Sequence, residues 1–254
     1  MTTHRPTPDL PLPQGDPPPD GTLPVSETFT SIQGEGALAG VPSHFIRLSG
    51  CNLRCAWCDT PYASWTPESV SRSVPDLLRD ARASGVRHVV LTGGEPLIFP
   101  LAAVLCRSLR DAGLHFTIET AGTVFLAAPC DLISISPKLS NSLPLPGDPR
   151  DPGGAWRARH DQRRLNPAAI QDLLDAAPAR QLKFVVREPT DLAEIDALLA
   201  AIRGWRPDEV FLMPEGVVTP PRDRTDWIVA ECLRRNWRFG PRLHIALFGN
   251  RRGT

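Results

Sequence analysis

Cys51-Asn-Leu-Arg-Cys55-Ala-Trp-Cys58 is the stretch on which the identity of the fold turns. Three thiols at x3 and x2 spacing occupy a short loop. It follows the apolar run Ser43-His-Phe-Ile-Arg-Leu48 and the turn Ser49-Gly50. Such spacing lets three thiolates converge on one 4Fe–4S cubane and leaves its fourth iron without a protein ligand. Four thiolates usually make an electron carrier, whereas an open iron is a place for chemistry. Zinc is the competing metal. Structural zinc takes four ligands, typically as two separated pairs, and no second Cys or His pair follows at a finger-like distance. Cys106, Cys130 and Cys232 stand singly in apolar or helical contexts and read as small buried hydrophobes.

A chain of 254 residues accommodates one α/β domain of half-barrel size. Lys+Arg and Asp+Glu are equal at 28 each, so no global field recruits nucleic acid or an anionic membrane. No apolar run approaches the ~20 residues that span a bilayer, and the N-terminus lacks the layout of a secretion signal. Six cysteines in that setting, three of them clustered, argue for a reducing cytoplasm and metal ligation over disulfides.

Residues 1–24 hold eight prolines and read as a disordered or extended leader to a domain at 25–254. Residues 140–166 read as a long Pro/Gly/Arg-rich insertion, either a lid or a solvated excursion, with solvated surface the commoner outcome. Between these segments β-branched runs alternate with amphipathic ones. Strands are expected at 43–48, 87–91, 114–119, 131–136, 182–186, 209–213 and 243–247. Helices are expected at 74–84, 101–112, 167–176, 192–203 and 225–236, with Gly85, Gly113 and Gly204 punctuating three of their ends. The alternation implies parallel strands joined by right-handed crossovers. A partial (β/α) barrel fits better than a dinucleotide-binding fold, because no Gly-rich turn of the right spacing follows the first strand.

In such sheets chemistry gathers at the carboxyl ends of the strands, and the notable motifs fall there. Thr92-Gly-Gly-Glu-Pro96 follows one strand; its glycines allow backbone to approach a ligand, and Glu95 offers an acceptor. Ser134-Ile-Ser136-Pro137-Lys138 ends another, while Gln181-Leu-Lys183-Phe184-Val185-Val186 and Met213-Pro-Glu-Gly216 occupy later ones.

The three-cysteine loop, with an aromatic before its last cysteine, resembles the radical S-adenosylmethionine (SAM) enzymes. Ser31-Ile-Gln-Gly-Glu-Gly36, Asp59-Thr60-Pro-Tyr62-Ala63 and Thr92-Gly-Gly-Glu-Pro96 narrow the resemblance to the 7-carboxy-7-deazaguanine synthase family within them, from about residue 25 to 250. That resemblance implies a cluster whose open iron binds SAM and a 5′-deoxyadenosyl radical that removes hydrogen from a pterin. It implies rearrangement of 6-carboxy-5,6,7,8-tetrahydropterin to 7-carboxy-7-deazaguanine with loss of ammonia, a flavodoxin- or ferredoxin-type electron donor, and a homodimer. Carried over by position, Cys51, Cys55 and Cys58 hold the cluster. Trp57, Cys58, Asp59, Gly94, Glu95, Ser136, Pro137, Lys138 and Lys183 contact SAM. Ile32, Gln33, Gly34, Arg47 and Thr92 bind the pterin, with Arg47 on its carboxylate, and Thr60 ligates Mg2+.

Two other readings share parts of this pattern. A glycyl-radical activating enzyme shares the cysteine loop and glycine motif but does not call for the 31–36 segment or Thr60. A zinc-stabilised binding module shares only the cysteines. His244, in the last expected strand, reads as a core or surface residue with the site as the alternative, and the C-terminal tail reads as a frayed end.

Overall fold

In the computed structural model, residues 21–254 are described. Residues 1–20 of the expected leader lie outside them. One nine-stranded sheet runs through the molecule. Its strands are β1 (Thr22–Ile32), β2 (Pro42–Leu48), β3 (Val70–Ser73), β4 (His88–Gly93), β5 (His115–Thr120), β6 (Leu132–Ile135), β7 (Ala179–Val186), β8 (Val210–Pro214) and β9 (Arg238–Phe239). They lie in the order β3-β1-β2-β4-β5-β6-β7-β8-β9. From β2 to β9 every pairing is parallel, with Ser43 opposite His88 and Leu182 opposite Val210. The expected open (β/α) barrel of mainly parallel strands is therefore present.

Between the strands run α1 (Val74–Ala83), α2 (Leu101–Asp111), α3 (Ala155–Arg163), α4 (Pro167–Ala176), α5 (Asp191–Ala201) and α6 (Arg222–Arg235), and α7 (Leu243–Phe248) closes the series. Their boundaries follow local chemistry. The Ser73 hydroxyl accepts from Asp76 N at the start of α1, and Asn166 accepts from Ala169 N beside Pro167 at the start of α4. Leu77, Ala81, Leu105, Leu109, Ile170, Leu173, Ile195 and Leu199 turn inward onto the sheet's Val89, Leu91, Ile118, Ile133, Phe184 and Leu212. Each fully buried large aliphatic contributes roughly 1.5–3 kcal/mol.

Three expectations are corrected. Residues 22–24, assigned to the leader, are strand: β1 is antiparallel to both β2 and β3. Pro24 sits where this is tolerated, because β1 pairs with β3 there while its register with β2 is interrupted between Val25 and Glu27. Residues 243–247, expected as a strand, form α7. Their apolar run is compatible with either state, and Leu243 N is tied to Gly34 O at 2.9 Å rather than to a strand. Finally, 140–166 is no solvated excursion. It contains α3, and His160, Asp148, Asp151 and Ser142 within it are buried.

Candidate functional site

One cavity of about 520 Å³ lies at the carboxyl ends of the parallel strands. Each strand delivers its motif there: Cys51 after β2, Thr92 to Gly94 at the end of β4, Glu119 and Thr120 on β5, Ser136 and Lys138 after β6, Lys183 on β7, and Gly216 after β8. The remaining wall comes from β1. Because β1 runs antiparallel to β2, the loop after Ile32 starts at the amino end of the barrel and must cross it. Ala37 N reaches Gln181 Oε1 on β7 at 2.8 Å. A Cβ on Gly36, at φ +70°, would lie 2.3 Å from Gln181 Nε2, so only glycine fits this crossing.

Within the cavity the crossing loop brings charged groups together. Lys183 Nζ lies 2.9 Å from Glu35 and 3.4 Å from Glu119. Gln33 donates to Glu119 Oε1 at 3.2 Å, and Thr92 donates to Glu119 Oε2 at 3.0 Å. Arg242 spans from Glu35 at 3.1 Å to Asp59 and the Gly216 carbonyl. Burial alone would raise the Glu35 carboxyl, but Lys183, Arg242 and His244 together hold it well below the usual carboxylate range. On the β1 side, Glu27 accepts from Arg47 Nε at 2.8 Å and from the Tyr62 hydroxyl at 2.7 Å. Arg252 crosses to Glu27 at 3.3 Å and lies 4.2 Å from the Tyr62 ring centroid, so the tail folds over the cavity instead of fraying.

Cys51, Cys55 and Cys58 line the same cavity. Burial pushes the Cys51 thiol up to about 12 and raises that of Cys55 further. Buried thiols without a cation stay neutral, and a metal centre supplies the positive charge that makes them thiolates. Leu53 N points at Cys51 Sγ (3.4 Å), and the Ser64 hydroxyl sits 3.2 Å from Cys58 Sγ, the kind of donors that ligand sulfurs accept. Among the described residues no three His, Cys, Asp or Glu side chains are disposed around one metal ion. A cubane asks for no such convergence, since each thiolate binds its own iron. The residues fit the cluster.

Most of the expected site residues reach the wall. Ile32, Gln33, Gly34, Arg47, Trp57, Cys58, Asp59, Thr60, Thr92, Gly94, Ser136, Lys138 and Lys183 all line the cavity. Lys138 Nζ rests on neutral partners, the Ser136 carbonyl (2.8 Å) and hydroxyl (2.7 Å), which leaves its charge for an anionic ligand. Thr60 Oγ1 lies 3.8 Å from Cys58 Sγ. Arg47 stands on the interior strand β2 and is ion-paired to Glu27.

Glu95 and Pro137 are placed differently from expectation. Both are buried behind the wall. The Glu95 carboxylate is taken up by Thr120 Oγ1 at 2.7 Å, Ala121 N at 2.8 Å and Leu97 N at 3.1 Å, so it ties the β4 turn to the end of β5. The paired glycines also make room for protein. A Cβ on Gly94 would lie 2.1 Å from Gly50 O, and Glu95 N donates to that same oxygen at 2.9 Å.

Sequence reasoning missed Glu27, Glu35, Glu119 and Arg242 and underrated His244, whose ring packs against Gly34. Glu119 carried a usable signal, as a carboxylate at the end of an expected strand. Glu35 lay inside a quoted motif but received no role. Arg242 carried none, because its partners are about 180 and 200 residues away in sequence.

Strand ends, cysteine loop and cavity define a class. Residues 45–143 match the Radical SAM superfamily. The 7-carboxy-7-deazaguanine synthase of Rhodopirellula baltica is 47% identical over 236 residues, covering 92% of this chain and 90% of that protein. The synthase of Halobacterium salinarum is 44% identical over 235 residues, covering 90% and 91%. The crystal structure of QueE from Escherichia coli aligns with a TM-score of 0.64 and 29% identity, covering 86% of this chain and 93% of that one. The chain belongs to the 7-carboxy-7-deazaguanine synthase family.

Proposed function

We propose that this protein converts 6-carboxy-5,6,7,8-tetrahydropterin to 7-carboxy-7-deazaguanine and ammonia, in 7-deazapurine (queuosine precursor) biosynthesis. The observation that carries the reading is the sharing of one cavity by the three cysteines and the Gln33, Arg47 and Thr92 side chains. The atoms balance as an isomerisation followed by loss of NH3, with no net oxidation. When bound, the cluster and SAM supply hydrogen-atom abstraction.

Everything else falls to the chain's own groups. Lys138, without a carboxylate partner among the described residues, suits the carboxylate of SAM, and Trp57 offers an apolar face whose Nε1 is held by Asn141 O at 3.0 Å. Arg47 suits the pterin carboxylate because its guanidinium offers parallel donors while Glu27 fixes Nε. Gln33 and Thr92, both anchored on Glu119, present amide and hydroxyl groups to a pterin edge. The tail at Arg251–Thr254 covers the mouth and excludes water.

Mg2+ is held, in this reading, by the Thr60 hydroxyl with substrate oxygens and water completing the shell. That suits an ion that keeps most of its waters. A flavodoxin- or ferredoxin-type protein delivers the electron, and the protein acts as a homodimer. All six cysteines are unpaired, which supports a reducing compartment, the cytoplasm. No helix among the described residues is long and apolar enough to cross a membrane.

Anaerobic incubation of the iron-loaded protein with the carboxytetrahydropterin, SAM, Mg2+ and a reductant tests the reading. Deazaguanine product with stoichiometric ammonia is expected. Cluster-loaded protein that cleaves SAM yet leaves the pterin unchanged would remove the assignment.

A further inference from the structure

The segment expected to be a solvated insertion contacts the cysteine loop at successive positions. Arg54 N donates to His160 Nδ1 at 3.0 Å. Ala56 N donates to Ser142 O at 2.8 Å, and Arg150 donates to Ala56 O at 3.3 Å. Asn141 O accepts from Trp57 Nε1, and the Arg54 guanidinium stacks 3.9 Å from the Trp156 ring centroid. Arg150 also lies 4.1 Å from the ring of Trp65, whose Nε1 donates to Cys55 O at 2.9 Å. Between the first and last cysteine, the Arg54 N–H, the Cys55 carbonyl and both Ala56 backbone groups are thus satisfied from outside the loop.

His160 is the centre of this arrangement. It is fully buried, and its tautomer follows from its neighbours. Ser142 Oγ donates to Leu139 O at 2.6 Å and so accepts from His160 Nε2 at 2.9 Å, leaving Nδ1 as the acceptor for Arg54 N–H. The segment is in turn fixed by Asp151, which accepts from Trp156 N at 3.1 Å and Arg157 N at 2.8 Å at the start of α3.

We infer that residues 141–160 form a built-in clamp that holds the cysteine loop in its ligand-ready backbone conformation before any cluster is assembled, with His160 as the positioning residue. The inference rests on Cys51, Cys55 and Cys58 being the cluster ligands, and not on which substrate is turned over. Its physical basis is pre-organisation. Fixing a residue's backbone carries an entropic cost, so a loop already ordered by its neighbours holds the cluster more tightly and releases iron more slowly.

The test compares wild type with H160N, H160Q, W156L and H88Q, each reconstituted with iron and sulfide without air. Asparagine places an acceptor near the Nδ1 position and preserves the Arg54 bond. Glutamine reaches the Nε2 position and leaves the Arg54 N–H unpaired. Release of iron to a chelator, followed by loss of visible absorbance, is expected to be about tenfold faster in H160Q, the equivalent of ~1.4 kcal/mol for one lost buried hydrogen bond. H160N is expected within about twofold of wild type, and W156L roughly threefold faster. In the apoproteins, amide exchange in the 51–58 peptide is expected to quicken in H160Q but not in H160N. H88Q, which perturbs a buried histidine at the opposite end of the sheet, controls for general destabilisation; it lowers the melting temperature without hastening iron release. Equal release rates across the series, or rates that simply track melting temperature through H88Q, would overturn the clamp. A wild-type protein that takes up no iron would instead defeat the cluster reading, and the inference with it.

Discussion

Replacing Lys183 with methionine removes one cation from the cavity and leaves two carboxylates facing each other. Lys183 is buried between Glu35 (2.9 Å) and Glu119 (3.4 Å), while the side chains of those acids are 19% and 21% exposed. Taking one partner from a buried pair costs about 3–5 kcal/mol. Here Arg242 still pairs with Glu35 at 3.1 Å, and Gln33 and Thr92 still donate to Glu119. The expected loss is therefore smaller, about 2–3 kcal/mol at pH 7, or roughly 5–10 °C in melting temperature for a chain of this length. The pH dependence has a definite sign. In wild type the depressed Glu35 pKa contributes stability that is complete above about pH 4.5 and drains away as pH falls below it. In K183M Glu35 has lost the largest of the charges that hold its carboxyl down, so this acid-sensitive contribution is smaller in the variant and less of it is lost as pH falls. Urea titrations of both apoproteins at pH 7 and about pH 3.5, below the ordinary carboxylate value, should show the gap between them narrowing. A variant as stable as wild type at pH 7, or a gap unchanged by acid, would refute the account.

G94A should cost about 3 kcal/mol or more, because the added Cβ meets the Gly50 and Ala63 carbonyl oxygens at 2.1 and 2.7 Å and backbone cannot step aside; thermal melting of the apoprotein checks it, and an unchanged midpoint would contradict the packing described. T60A should keep its iron content while roughly tenfold more Mg2+ is needed for half-maximal turnover; loss of iron in this variant would show that Thr60 serves the cluster loop instead. His88 and His160 are pushed down to about 4, chiefly by burial, so each is neutral in the fold and stabilises fully above the unfolded value near 6.5. Stability should fall between pH 6.5 and 4 by at most about 3 kcal/mol per histidine, and H88Q should flatten that fall in urea titrations; an H88Q profile parallel to wild type would exclude His88.

Much of the frame was legible in advance. The helix at 167–176 was expected to the residue, since Asn166 caps it and Pro167 begins it. The strands from β2 to β8 that carry the motifs lay within a few residues of their expected places, because parallel strands buried on both faces read as short apolar runs. Strand β1 was hidden by Pro24 and by its mixed composition. Its polarity is explained only by its position, with Glu27 facing Arg47 and Tyr62.

The sequence by itself determined the alternation of strands and helices, the three clustered thiols, and which motifs stand at strand ends, because periodicity, capping and residue chemistry are local properties. Only the tertiary structure decided that β1 runs antiparallel and sends Gln33 and Glu35 across the barrel to Glu119 and Lys183. It alone set Arg242 on Asp59 and Glu35, withdrew Glu95 from the cavity, and laid residues 141–160 on the cysteine loop. Those choices depend on charges and backbone groups brought together from distant parts of the chain, where burial requires every one of them to find a partner.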